Sequence, residues 1–156
     1  MGPLYSFDTS AFVQPHRRYY PFDVFPSFWR HLEKLIGDGS IIATEIVREE
    51  LEQKDDELTA WAKSQDGLFV PVDQEQQLAV ATVVNRFPKW VDADSSKNQG
   101  DPFVVALAMC AKLTVVSGEG NGSEIHPTIP FACGQMAPKV PHMSIVEFMR
   151  HTRLQL

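Results

Sequence analysis

The chain has 156 residues, 44% of them apolar and 22% charged, and its 14 Lys and Arg against 20 Asp and Glu give a net charge of −6. Apolar material on this scale builds one buried core over residues 1–156 and excludes a disordered chain or a coiled coil. The longest apolar runs, such as Phe103 to Cys110, fall far short of the roughly 20 residues that cross a bilayer, so no membrane span is expected.

The acidic balance also excludes a surface-wide positive field for nucleic acid. A phosphate ligand would need a local basic patch or a metal ion held by some of the acids. Met1 to Phe7 has neither a basic opening nor a small-residue cleavage site, which points to the cytoplasm. Cys110 and Cys133 lack metal-type spacing and are read as packing residues in a reducing compartment.

In chain order, Leu4 to Phe7 reads as a buried strand that breaks at Asp8, Thr9 and Ser10 into a polar turn. Pro21 to Ile36 carries Phe25, Phe28, Trp29, Leu32, Leu35 and Ile36 at helical spacing and stops at Gly37 and Gly39. A short strand over Ser40 to Ala43 follows. Thr44 caps a helix reaching about Gln53, and Asp55 or Asp56 opens the next, with Leu58, Trp61 and Ala62.

Gly67 to Val70 is a short strand and Gln74 to Asn85 a helix. Phe87 to Gly100 is polar and turn-rich, a surface loop carrying Lys89, Lys97 and Asn98. Asp101 as N-cap and Pro102 at the first helical position start an all-apolar, buried helix. Leu113 to Val116 is a β-branched strand leading to Ser117, Gly118 and Glu119. A strand near Val140 and a helix from Ser144 to about Thr152 complete the chain. The alternation predicts an α/β fold around a mostly parallel sheet.

Ligands of such sheets bind beyond the carboxyl ends of the strands. Asp8 ends the first strand and Glu119 follows the Leu113 to Val116 strand, so both belong to that edge. The helix after Thr44 can be phased at about 100° per residue. Glu50 falls inside the arc of Ile46, Val47 and Leu51, whereas Glu45 and Glu52 lie opposite and Glu49 on the border. A carboxylate on a buried face needs a partner. Asp101 opens the most apolar helix and shares a face with Val105 and Ala108, although capping alone accounts for an Asp there. Together the four acids form the pattern of a site for Mg²⁺ or Mn²⁺, and metal-assisted phosphodiester hydrolysis is the chemistry that suits it.

The sequence resembles the PIN-domain nucleases, especially the VapC-type toxins of toxin-antitoxin pairs. The resemblance rests on Tyr5-Ser6-Phe7-Asp8-Thr9-Ser10, Ile46-Val47-Arg48-Glu49-Glu50-Leu51, Gly100-Asp101-Pro102-Phe103-Val104-Val105-Ala106-Leu107-Ala108 and Thr114-Val115-Val116-Ser117-Gly118-Glu119. A likeness also exists to a branch in which aromatics, here Tyr19, Tyr20, Phe25 and Trp29, follow the first acid.

The resemblance implies a PIN-like, three-layer α/β/α fold and an endoribonuclease that leaves a 5′-phosphate and a 3′-hydroxyl. It assigns Asp8, Glu50, Asp101 and Glu119 as catalytic, metal-holding acids for Mg²⁺ or Mn²⁺, with Thr9 or Ser10 as supporting hydroxyl. It further implies an RNA substrate, a cognate antitoxin protein and a homodimer. Where many relatives carry another acid three residues beyond the fourth, this chain has Gly122, which removes a ligand from a second metal site. Cationic contacts to RNA phosphates are assigned to the run His16, Arg17 and Arg18, with Lys97 second.

The five histidines show no pair at zinc-ligand spacing, and Gly118 to Gly122 lacks the lysine of a phosphate-binding loop. An aspartyl-phosphate phosphatase would carry a second Asp where Ser10 stands. The remaining alternative is a catalytically weak or inactive PIN-fold module that binds RNA or protein. Metal binding separates the two readings.

Overall fold

Five short parallel strands carry the molecule: β1 (Tyr5–Phe7), β2 (Ile41–Thr44), β3 (Phe69–Val70), β4 (Thr114–Val116) and β5 (His142–Met143). They lie side by side in the order β3-β2-β1-β4-β5. The computed structural model describes residues 2–90 and 100–154. Tyr5 and Ser6 stand opposite Ile41 and Ile42 on one side and opposite Thr114 and Val115 on the other, and every strand pair among the described residues is parallel.

Parallel strands need crossovers, and both faces of the sheet must be covered. The crossovers supply α1 (Ser10–Gln14), α2 (Pro26–Gly37), α3 (Glu45–Lys54), α4 (Asp56–Lys63), α5 (Gln74–Arg86), α6 (Asp101–Ala111) and α7 (Ile129–Gln135), and α8 (Ile145–His151) follows the last strand. The two-residue period of β1 shows the layering directly. Tyr5 and Phe7 meet Phe148 of α8 edge-to-face, with ring centroids 5.1 and 5.0 Å apart. Ser6, fully buried, points the other way and donates from Oγ to the Val104 carbonyl of α6 at 3.2 Å. The sheet is thus sandwiched between α6 and α8, a three-layer α/β/α arrangement. Helix α6 is buried from Val104 to Ala108, the placement expected of its all-apolar surface.

Helix starts follow local chemistry. The Asp55 carboxylate accepts from Leu58 N at 2.9 Å, Asp73 from Gln76 N at 2.8 Å, and Ser144 and Glu147 form a reciprocal capping box.

Several boundaries differ from expectation. The chain does not turn loosely after Asp8: Thr9 leads into α1, and a π-helical turn over Pro15–Tyr19 continues it. Helix α2 begins at Pro26 rather than Pro21, because Pro26 takes an early helical position and Phe25 before it is held out of the helical region. At α6 the N-cap is Gly100, and Asp101 is the first helical residue, its carboxylate turned to other acids rather than to its own helix amides. The last strand is His142–Met143, and α7 is an element the sequence did not announce. Residues 91–99 of the expected surface loop, Lys97 among them, lie outside the described residues. Among the described residues no helix is long and apolar enough to cross a membrane.

Candidate metal centre

The strand order reverses at β1, whose neighbours β2 and β4 lead the chain away in opposite directions. The divergence leaves a crevice beyond the carboxyl ends of β1 and β4. Asp8 follows β1 directly, Ser117 to Glu119 continue from β4, Asp101 opens α6, and α3 carries Glu50. Asp8 and Asp101 are buried, at 2% and 5% exposure. Carboxylate oxygens of Asp8, Asp101 and Glu119 lie within 4.8 Å of one another. Glu50, half-buried while Glu49 and Glu52 are exposed, sits beside this triad rather than within it.

Each acid is held by a named neighbour. Ser10 donates to Asp8 Oδ2 from its amide at 3.1 Å and from Oγ at 2.5 Å, and Ser10 Oγ in turn accepts from Gly118 N at 2.9 Å. The loops after β1 and β4 are thereby tied across the crevice. Gln14 strengthens the tie by donating from Nε2 to the Gly118 carbonyl at 2.9 Å. Thr9 donates to Glu50 Oε1 at 2.9 Å, so the two hydroxyls divide the work: Ser10 holds the first acid and Thr9 the second. A Cβ at Gly100 would collide with the Glu50 carboxylate. Glu119 Oε2 accepts from Ile129 N at 2.7 Å, the first amide of α7.

Burial among like charges raises the proton affinity of the whole group. Asp8 is raised by desolvation against the lowering effect of the Ser10 hydrogen bonds. Glu50 is raised by desolvation and by the Asp8 charge, with Thr9 opposing. Glu119 is raised by desolvation and by Asp8, with the Ile129 amide opposing. Asp101 is raised to about 10 through desolvation and the charges of Asp8, Glu119 and Glu50. Cys133 of α7 is pushed up to about 12 by burial and by Glu119, which makes it an inert packing thiol.

Asp8 Oδ1 and Asp101 Oδ2 are buried and have no hydrogen-bond partner among the described residues. Two orphaned carboxylate oxygens beside a third carboxylate suit a hard divalent cation, which accepts oxygen ligands and cancels the mutual repulsion. The residues fit Mg²⁺ or Mn²⁺. Gly122 lies where a further acid was looked for, and any Cβ there would meet Thr128 Oγ1 at 2.6 Å and the Thr128 amide at 2.7 Å. The close approach of 126–128 therefore excludes a side chain at 122.

The basic run after α1 is largely occupied elsewhere. His16 lies 3.2 Å from Asp55 and 3.7 Å from Glu57, and Arg17 lies 3.6 Å from Asp55. These contacts pin the π-helical turn to the start of α4. Arg18 is exposed. Three contributors escaped the sequence reading. Lys54, whose charge acts on both Asp8 and Glu50, stands four residues after Glu50 and so on the same helix face, a spacing that was available as a signal. Gln14 and Gly100 act through long-range contacts that leave no local pattern.

A central parallel sheet of this order, with acids from four elements gathered at its switch point, defines a PIN-like α/β protein. The chain belongs to the family described as Domain of unknown function (DUF4411), which it matches over residues 5–156. Among solved structures it is similar to a chain of VapBC2 from Rickettsia felis, a complex crystallised bound to a DNA fragment from its promoter. The two superpose with a TM-score of 0.59 at 12% identity, covering 90% of this chain and 98% of the other. At that identity the likeness shows the fold. The sequence matches no curated protein.

Proposed function

We propose that the protein is a metal-dependent endoribonuclease that hydrolyses RNA phosphodiesters to leave 5′-phosphate and 3′-hydroxyl ends, and that it is the toxin of a toxin-antitoxin pair acting in the cytoplasm. The observation that carries this reading is the pair of buried oxygens of Asp8 and Asp101, unpartnered among the described residues, on acids that cluster with Glu119. Residues 1–156 form one PIN-like domain in this reading.

Asp8, Asp101 and Glu119 would hold Mg²⁺ or Mn²⁺, with Glu50 alongside. The bound ion supplies positive charge to the scissile phosphate and activates water for attack. Ser10 and Thr9 keep Asp8 and Glu50 oriented before substrate arrives, so little reorganisation is needed on binding. Lys54 and Arg18 take the phosphates flanking the scissile one, and Lys97 is proposed with them on sequence grounds alone. Arg17, engaged with Asp55, steadies the turn that presents Arg18. Glu50 and Lys54, side by side on α3, make that helix the wall against which the strand lies. The partner is a cognate antitoxin, supported by the VapBC2 complex among the fold's relatives, and the chain pairs as a homodimer.

The test is cleavage of bulk cellular RNA by the purified protein with Mn²⁺, Mg²⁺ or EDTA, for wild type, Asp8→Ala and Asp101→Ala. Metal-dependent cutting lost in both variants is the expected result. No cutting by any form and no thermal shift on adding metal would leave a binding module instead.

A further inference from the structure

A cavity of about 260 Å³ opens beside Glu119, and its walls include Tyr19, Tyr20, Ser117, Ile145 and Val146. We infer that this cavity is a subsite for one unstacked nucleobase of the RNA strand, with Tyr19 as the stacking platform; the inference rests on the RNA reading above. Four observations carry it.

Tyr19 is 55% exposed and Val146 51% exposed, two of the few large apolar side chains the described surface leaves open, and both line this one cavity. Exposed aromatic and aliphatic side chains in one small cavity offer apolar surface to a flat group.

The backing of the slot is rigid. Tyr20 stacks on Phe28 with centroids 4.9 Å apart and planes 23° from parallel, and its carbonyl accepts from Trp29 Nε1 at 2.6 Å. Tyr19 lies 6.4 Å from Tyr20 at 56°, so it is not itself stacked flat against its neighbour.

The slot shares Glu119 with the acidic triad, so an occupant continues directly into the metal centre. Single-stranded RNA offers a base beside every phosphate, and such strands are gripped by stacking on aromatic side chains. The volume is below the roughly 300–1,000 Å³ of sites for larger ligands and suits one base rather than a duplex or a helix of a protein partner.

The floor is already satisfied. Ser117 is fully buried with its Oγ 2.8 Å from His142 Nε2, and the Gly118 carbonyl is taken by Gln14. Recognition therefore comes from stacking rather than from base edges, and the subsite tolerates every base, purines best.

The test reads base binding apart from catalysis. Saturation-transfer NMR of the metal-free full chain in EDTA with adenosine and cytidine, neutral probes that the acids do not repel, should show contact strongest at the base protons. Tyr19→Ala should lower that contact at least about fivefold and raise KM for single-stranded RNA about tenfold, while Tyr19→Phe restores both. Circular dichroism of the variants checks that they fold. Base contact equal in wild type and Tyr19→Ala, or no contact with either nucleoside, overturns the subsite and leaves the cavity to a protein side chain. Failure of the nuclease reading registers separately, as absent metal-dependent cutting with Tyr19-dependent nucleoside contact intact.

Discussion

Two regions only a helix apart, on either side of α1, are built on opposite terms. Behind α1, Phe12, Phe22, Trp29 and Trp61 interlock with centroids 4.6 to 6.1 Å apart, and His16 and Arg17 are matched to Asp55. In front of it, the acids meet one another, and two buried oxygens have no partner among the described residues. The aromatic cluster is held by its own packing, whereas the crevice gathers like charges that a cation would balance. A cluster of buried like charges, unlike a packed aromatic one, is the kind of feature that marks a working site.

That contrast can be broken from the crevice side first. Asp101→Ala is expected to lower RNA cleavage about 1,000-fold in single-turnover assays while raising the melting temperature of the metal-free protein, because one fewer polar acid has to be desolvated among the clustered carboxyls. A loss of stability instead would make Asp101 a structural residue. On the packed side, Phe148→Ala removes the ring that contacts Tyr5 and Phe7 and should cost about 3–5 kcal/mol in urea unfolding, with activity falling only as folded protein is lost.

Smaller changes sharpen the comparison. Thr9→Val and Gly100→Ala both disturb Glu50, one by deleting its hydrogen bond and the other by crowding its carboxylate. Each should reduce cleavage about tenfold with the fold retained by circular dichroism. The smallest effect is a pH dependence. Asp8, Glu50, Asp101 and Glu119 all have raised proton affinity, so the folded state holds more protons than the unfolded one over this range. Their stabilising contribution is full below the unfolded value of about 4 and is lost as pH rises toward about 10, the value of Asp101. The metal-free melting temperature should thus climb a few degrees between about pH 8 and about pH 6, and saturating Mn²⁺ should flatten the climb. Cleavage should run the other way, falling in acid as protons compete for the carboxylates.

The strands and most helices were readable because each carries its own signal: an apolar run, a capping side chain, a Gly stop. Asp8 and Glu119 followed from strand ends, and Glu50 from its phase on α3. What escaped was either short or remote. Asp8, Thr9 and Ser10 read as a polar turn, yet Thr9 leads into α1 and Pro15 sits early in the turn that continues it. Helix α7 is seven residues long with a proline near its start and Gly134 within it, too short for a period to show. Asp101 before Pro102 carried a cap signature that the tertiary pull of the other acids overrode. The Thr9 to Glu50 bond joins residues 41 apart, and no periodicity encodes it.

Glu119 has two loyalties. Its carboxylate belongs to the acidic triad, and its Oε2 receives the first amide of α7, ten residues further along the chain. A cation held by the triad would fix the carboxylate that receives the Ile129 amide, and the 120–128 segment would then act as a clasp with that amide as its latch. That single amide, followed by its NMR shift and its exchange with deuterium, would serve as a natural gauge of whether the crevice is filled, with no substrate required.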